Sequence, residues 1–400
     1  DGTFFDLPIA ISILTLSDQI KQREIKSKAF VGELSLSGEL RPVKGIINIL
    51  EKLRNSGINE VFIPLDNLES SSLIDGIKII AAKNLKEIFL HLKGEKTITN
   101  QIIEHNHEKA QNQTALDDII GQEQAKRALT IAIAGHHNIL LTGPPGTGKT
   151  MLAQAALNLL PNLSKEEILE VLKIHGLVED VDSKISRPFR TPHHTASKVS
   201  IIGGGSKALP GEISLAHNGV LFLDEMPEFP KSVLESLRQP LEDRKITISR
   251  TNRKSSYPAN FMLIATMNPC PCGFYGDETK ECTCSPAQIS NYQRKLSGPL
   301  IDRIDMVVNV NRIKNENLLK TTPSKKSEHA NAKKQIEKSL KLQHKRYGCS
   351  NLYNSMAKTN VVKNSFKISK EAEDLLNLAT SKLDLSVRSY LKILKVSRTI

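Results

Sequence analysis

The chain has 400 residues, more than one hydrophobic core usually serves, so two or three domains are expected. Hydrophobic residues make up 39% and charged residues 24%. No apolar run approaches the roughly eighteen residues a helical membrane span needs, which leaves a cytoplasmic globular protein with no membrane partner as the expectation. Formal net charge is +12, and the stretch from Arg312 to Arg346 holds eleven Lys and Arg against three Glu. The basic balance is therefore local, and that stretch reads either as a solvated linker or as a surface facing nucleic acid. The opening residues, Asp1-Gly2-Thr3-Phe4-Phe5-Asp6, carry neither an initiator Met nor a signal sequence, and the chain stops at Thr399-Ile400 inside a helical pattern. A fragment cut at both ends is the expectation.

In chain order, residues 1–94 read as one compact α/β domain: a helix over Leu7–Ile20, a strand-turn-strand over Phe30–Leu40, a helix over Ile46–Ser56 and a strand over Glu60–Pro64. Residues 95–114 turn polar, as an interdomain linker should. A second domain is expected over 115–312. It opens with a helix from Gln122 to Ala134, a strand from Asn138 to Thr142 and a helix beginning at Lys149. Residues 313–400 read as a basic linker followed by helices.

Gly143-Pro144-Pro145-Gly146-Thr147-Gly148-Lys149-Thr150 matches G-x-x-x-x-G-K-[ST] between that strand and that helix. Glycines let backbone N–H groups turn inward on phosphates, and the helix N-terminus adds positive potential. Lys149 would hold the β/γ-phosphates of ATP, and Thr150 would place its hydroxyl on Mg²⁺. Farther on, Gly219-Val220-Leu221-Phe222-Leu223 is an apolar strand ending in Asp224 and Glu225. Asp224 would join the Mg²⁺ shell and Glu225 would activate the attacking water, which makes the expected protein a hydrolase and not only a nucleotide binder. A third apolar strand, Phe261 to Thr266, ends near Asn268, whose amide could orient the same water.

Four of the five cysteines, Cys270, Cys272, Cys282 and Cys284, crowd into fifteen residues. Thiols so close favour Zn²⁺, although C-x-C spacing is tighter than usual and free thiols stay an alternative. His193 and His194 lie in a loop that either faces a pore or DNA, or bonds to its own backbone. Arg250, Arg253 and Lys254 should tip a hairpin, where they could grip phosphates without sequence readout or form an ordinary charged turn. Aromatic residues are 4% with no Trp, so base stacking should not dominate.

The order of these motifs, followed by Leu300-Ile301-Asp302-Arg303-Ile304-Asp305 and Ser386-Val387-Arg388, resembles the magnesium chelatase-like branch of the AAA+ ATPases. Arg190-Thr191-Pro192-His193-His194-Thr195-Ala196-Ser197, Gly203-Gly204-Gly205 and Asn268-Pro269-Cys270-Pro271-Cys272-Gly273 narrow the resemblance to the ComM/YifB family. The resemblance implies an α/β fold: a Lon-protease-like (ribosomal S5-like) first domain, an AAA+ P-loop NTPase domain and the start of an α-helical lid. It also implies a ring-forming homo-oligomer, a hexamer, that acts on single-stranded or branched DNA as a branch-migration helicase in natural transformation and recombination. Arg303 would be an arginine finger reaching a neighbour's γ-phosphate, and Arg388 a sensor arginine of the lid; alternatively Arg303 pairs with Asp302 or Asp305 in its own chain. The protease-like domain, recognised through Phe30 to Val43 and Ile63-Pro64, carries Phe4 and Ile47 where the resemblance puts a nucleophilic serine and a catalytic lysine, so no peptidase activity is expected. The competing class is the ATPase subunit of a magnesium chelatase-type complex.

Overall fold

The computed structural model describes residues 3–99, 114–178, 186–250, 253–312, 328–349 and 352–400; the side chains of 249–254 fall outside that description. Most of the expected 95–114 linker and the 313–327 part of the basic stretch therefore lie outside the described residues. The chain divides into two compact units, one of Asp1–Lys109 with Leu163–Ser186, the other of Ala110–Asn162 with Arg187–Ile400. Two boundaries differ from the sequence division. Leu163–Ser186, assigned by sequence to the 115–312 domain, groups with the first unit, and the 313–400 helices group with the second.

In the first unit, α1 (Asp6–Leu16), β1 (Lys28–Phe30), α2 (Ile46–Asn55), β2 (Glu60–Pro64), β3 (Lys78–Ala82) and α3 (Leu85–Leu92) form an α/β layer over a parallel sheet of order β1-β2-β3. The central strand is fully apolar from Val61 to Pro64 and buried on both faces, as a covered parallel strand must be. Its one charge, Glu60, sits between Lys28 at 3.1 Å and Lys78 at 2.6 Å. Phe4 and Ile47 both pack into the hydrophobic cluster built on Leu50, Val61 and Ile63. Ile168 and Leu172, from the helix Lys165–His175, enter the same cluster. Asn48 Nδ2 also donates to Lys173 O at 2.9 Å, which explains why that helix belongs here.

The second unit carries α4 (Glu123–Gly135), β4 (Ile139–Thr142), α5 (Lys149–Leu159), β5 (Phe189–Arg190), β6 (Val220–Leu223), β7 (Lys245–Arg250), β8 (Arg253–Pro258), β9 (Met262–Met267), β10 (Met306–Asn309), α6 (Glu328–Tyr347), α7 (Lys370–Leu383) and α8 (Val387–Ser397). Five strands make one sheet of order β10-β4-β9-β6-β5, every pair parallel. Alternate residues serve opposite faces. Ile139, Leu141, Val220, Phe222, Met262 and Ile264 enter one cluster with α4 and α5. Leu140, Leu221, Leu223, Leu263 and Ala265 enter the other. Burial on both faces is the reason these strands are apolar without a polar alternation. A parallel sheet also sends all its C-terminal ends to one edge, where such sheets hold ligands.

The basic stretch is corrected over its second half. Residues 328–347 are not a linker but a 20-residue helix, α6. Ala332, Ile336 and Leu340, one turn apart, seat it in the core of the second unit. Its Lys334, Lys338, Lys341 and Lys345 stay exposed. The hairpin expected from sequence forms as β7 and β8, antiparallel with Arg250 opposite Arg253.

Candidate active site

The sequence places a phosphate loop after β4, and the backbone shows how. Gly146 and Gly148 adopt φ of +76° and +87°, with open space where a β-carbon would stand. Only glycine holds that left-handed geometry at no steric cost, and it leaves the backbone there uncovered. Gly143 is fixed for another reason: a β-carbon there would lie 2.2 Å from Val310 O. Lys149 opens α5, an 11-residue helix whose N-terminal amides and dipole favour an anion. Its ammonium donates to Gly143 O and Pro144 O at 2.7 Å each and to Asn268 Oδ1 at 3.2 Å. Three donors thus meet three oxygen acceptors, the atom type a phosphate offers. Burial lowers the Lys149 pKa from its ordinary value, against the opposing pull of Asp224 and Glu225. Gln122 closes the loop from behind, donating to Thr147 O at 3.2 Å and Asn311 O at 2.7 Å.

The carboxylates arrive from β6. Asp224 Oδ1 accepts from the Thr266 hydroxyl at 2.6 Å, and the same hydroxyl accepts from Glu225 N at 2.9 Å. Thr266 is completely buried in β9 and so fixes the Asp224 carboxylate and the Glu225 backbone from the neighbouring strand. Glu225 takes φ of +50°, which turns its exposed side chain away from the strand direction. Thr150 Oγ1 and Asp224 Oδ2 are 3.4 Å apart. Adjacent oxygens of an octahedral Mg²⁺ shell are about 3 Å apart, so this pair fits the ion. Of the residues singled out from sequence, Lys149 is brought within bonding reach of Asn268, and Thr150 of Asp224.

Arg303 and Arg388 are not brought there. Arg303 lies in the turn ahead of β10, at the N-terminal edge of the sheet; its carbonyl accepts from Asn138 Nδ2, just ahead of β4, at 3.0 Å. The phosphate loop follows the opposite end of β4. Lys392 of α8 donates to Ile304 O at 3.1 Å, bringing the lid helix to the same edge as Arg303. The expected intrachain partners of Arg303 are corrected: it pairs neither with Asp302 nor with Asp305 but with Glu242, whose other oxygen takes Arg388. Asp305 is engaged elsewhere, accepting from Asn138 N at 2.8 Å and facing His137 Nδ1 at 3.6 Å. Buried Arg303 Nε has no hydrogen-bond partner among the described residues. Thr266, Gln122, Glu242 and Asn138 escaped the sequence reading. Thr266 had one signal, a hydroxyl in an otherwise apolar strand.

Cys270, Cys272, Cys282 and Cys284 converge, with all four sulfurs within 4.8 Å of one another. His193 bonds locally: its Nδ1 lies 2.8 Å from Thr195 Oγ1 and its ring 4.1 Å from that of His194. The nearby Arg190 is held by Glu212 at 2.7 Å. The side chains of Arg250, Arg253 and Lys254 lie outside the described residues, although their strands do not. Among the described residues no helix is long and apolar enough to cross a membrane.

A family model for "Magnesium chelatase, subunit ChlI" matches residues 115–318, "Subunit ChlI of Mg-chelatase" matches 1–67, and "Magnesium chelatase, subunit ChlI C-terminal" matches 326–400. The chain is 42% identical over 407 residues to the competence protein ComM of Haemophilus influenzae, covering 100% of this chain and 79% of ComM. It is 40% identical over 411 residues to YifB of Escherichia coli, covering 100% and 78%. The magnesium-chelatase 67 kDa subunit of Heliobacterium mobile is 28% identical over 200 residues, 41% of this chain and 29% of that protein.

Proposed function

We propose, from the premise that this chain belongs to the ComM/YifB-type magnesium chelatase-like family, that it is an ATP-hydrolysing ring subunit that moves single-stranded or branched DNA during transformation and recombination. The observation that carries the ring is the separation of the two half-sites. Lys149, Thr150, Asp224 and Asn268 stand at the C-terminal edge of the sheet, and Arg303 stands at the N-terminal edge of the same sheet. One chain cannot bring both edges to one phosphate group. A second copy, stacked head to tail, can, and repetition of that heterologous contact closes a ring. We place Arg388 with Arg303, serving the neighbour's nucleotide, because both arginines share Glu242.

The chemistry follows from the residues. Lys149 exchanges its carbonyl and Asn268 oxygens for phosphate oxygens, so binding replaces bonds and does not create a newly buried charge. Thr150 and Asp224 would hold Mg²⁺, which would supply positive charge against the phosphates. Glu225 accepts the proton of the attacking water, and Asn268 orients that water. Arg303 of the adjoining copy stabilises the charge that develops on the transferred phosphoryl group. Glu242 competes with phosphate for Arg303: the carboxylate is 47% exposed, whereas the Arg303 side chain is 15% exposed and also donates to Pro299 O at 2.7 Å, so a phosphate takes the place of Glu242 on a guanidinium already held in position.

DNA as the partner is supported by 42% identity along the whole chain to a protein named for competence, and by the exposed lysines of α6 with the β7–β8 hairpin cations. The test is ATP turnover and DNA binding against salt, using forked and single-stranded DNA of unrelated sequences. Turnover should rise with DNA, and log affinity should fall linearly with log salt, about 0.7 per phosphate contact on single strands. Removing Arg253 and Lys254 together should flatten that slope by about one to two units for all sequences alike. Absence of binding at low salt would favour the second reading, the ATPase subunit of a magnesium chelatase-type complex, which the family match over 115–318 supports.

A further inference from the structure

The segment that leaves Asn268 does more than close a loop. Cys270 Sγ lies 3.3 Å from Cys272 Sγ and 3.6 Å from Cys282 Sγ, and Cys272 Sγ lies 3.5 Å from Cys282 Sγ. Cys284 completes a group in which every pair is within 4.8 Å. Four thiolates around one Zn²⁺ at about 2.3 Å would stand about 3.8 Å apart, which is the scale observed. None of these distances approaches the roughly 2.05 Å of a disulfide, and all the cysteines are free. An iron–sulfur cluster, with inorganic sulfide between its metals, would need the thiolates farther apart. Backbone amides already point at the sulfurs, Tyr275 N at Cys270 Sγ (3.3 Å) and Cys272 N at Cys284 Sγ (3.4 Å), the outer-shell bonds that orient metal thiolates.

The knuckle is wedged into the nucleotide machinery. Cys270 is two residues from Asn268, which bonds Lys149. Gly273, at φ of +86°, rests on the phosphate loop so closely that a β-carbon there would lie 2.7 Å from Pro145 Cδ. The far side is strapped by Arg312, 3.3 Å from Asp277 and over the Phe274 ring at 5.3 Å. No apolar core holds these fifteen residues: apart from Cys270, Gly273 and the carboxylate of Asp277, which caps its own turn, they are exposed or half-exposed. We propose that Cys270, Cys272, Cys282 and Cys284 bind one Zn²⁺, and that this ion holds the loop after Asn268 in the shape that buttresses the phosphate loop through Gly273 and Pro145. The buttressing half rests on the nucleotide reading above; the metal half does not.

Metal analysis and binding of a non-hydrolysable ATP analogue, measured on the same full-chain samples, test the two halves separately. Protein purified without chelator should hold about one zinc per chain, lost in the Cys270→Ser/Cys272→Ser double variant. Stripping zinc from the wild type should weaken analogue binding about tenfold or more, and zinc added back should restore it, which separates metal loss from misfolding. Gly273→Ala should keep its zinc and still bind the analogue about tenfold more weakly. Protein with no metal, or with iron, overturns the zinc site. Unchanged analogue affinity in both the stripped protein and Gly273→Ala overturns the buttress. A zinc-loaded wild type that binds no analogue at all overturns the nucleotide reading and the buttress with it, and leaves the zinc site standing.

Discussion

The two edges of the five-stranded sheet are built to different standards. At the C-terminal edge the groups are positioned by their own chain: Lys149 by three oxygens, the Asp224 carboxylate and the Glu225 backbone N–H by the buried hydroxyl of Thr266. At the N-terminal edge the backbone is equally fixed, through Asn138 and Asp305, but the two arginines share one exposed carboxylate, Glu242, and Arg303 keeps a buried donor without a partner among the described residues. The first edge places its polar groups around the phosphate loop, whereas the second ties Arg303 to Glu242 and Pro299 O and leaves Arg388 the more exposed of its two arginines. In the divided site we propose, the half that recognises phosphate is preorganised within the chain, and the half that would meet a neighbour's nucleotide is held by Glu242 and Pro299 O until it does.

The largest expected effect comes from the N-terminal edge. Arg303→Ala should leave assembly and ATP binding intact and lower turnover by about 10³- to 10⁵-fold, the range for an arginine finger. Native mass or light scattering beside steady-state hydrolysis checks both parts, and full-rate hydrolysis by a monomer would remove the reason for a divided site. The C-terminal edge should respond in two distinguishable ways. Glu225→Gln should hold ATP and lose about 10²- to 10⁴-fold in turnover, whereas Lys149→Ala should fail to bind ATP, because only the second removes phosphate charge. Equal loss of ATP affinity in the two variants would contradict the roles given to them.

How far sequence carried this comparison depends on distance along the chain. The phosphate loop was legible because its chemistry needs contiguous residues, and the β6 and β9 strands were legible because burial on both faces makes them uniformly apolar. The four cysteines were legible as two tight pairs, and they do meet in space. Contacts across long separations were not. Glu242 is 61 residues from Arg303 and 146 from Arg388, and no local pattern marks it as their partner. The nearer acids, Asp302 and Asp305, were the sequence-based partners, but Asp305 is taken by the Asn138 amide. Charge concealed α6: its apolar stripe is one residue wide, Ala332, Ile336 and Leu340, among lysines that suggested a linker. The helix Lys165–His175 was misassigned because its neighbours Asn48 and Glu51 lie 125 and 122 residues away from Lys173.

The smallest effect sharpens the idea of a latch. Glu242→Gln should lower stability by about 2 kcal/mol or less, because the lost carboxylate is half-exposed and Arg303 keeps its bond to Pro299 O at 2.7 Å, and should leave turnover at saturating ATP within about threefold of the wild type. A thermal unfolding midpoint beside steady-state kinetics reads both; a large fall in stability would mean that Glu242 is structural and not a latch.

Mixing two inactive variants tests the divided site most directly. Glu225→Gln disables only the C-terminal edge and Arg303→Ala only the N-terminal edge, so in rings assembled from equal amounts about one interface in four joins two intact edges. ATP turnover of the mixture, measured against either variant alone and with co-assembly verified, should therefore recover to about a quarter of the wild-type rate. Recovery at no mixing ratio, in rings shown to contain both chains, would mean that each chain completes its own site, and the divided site would be wrong.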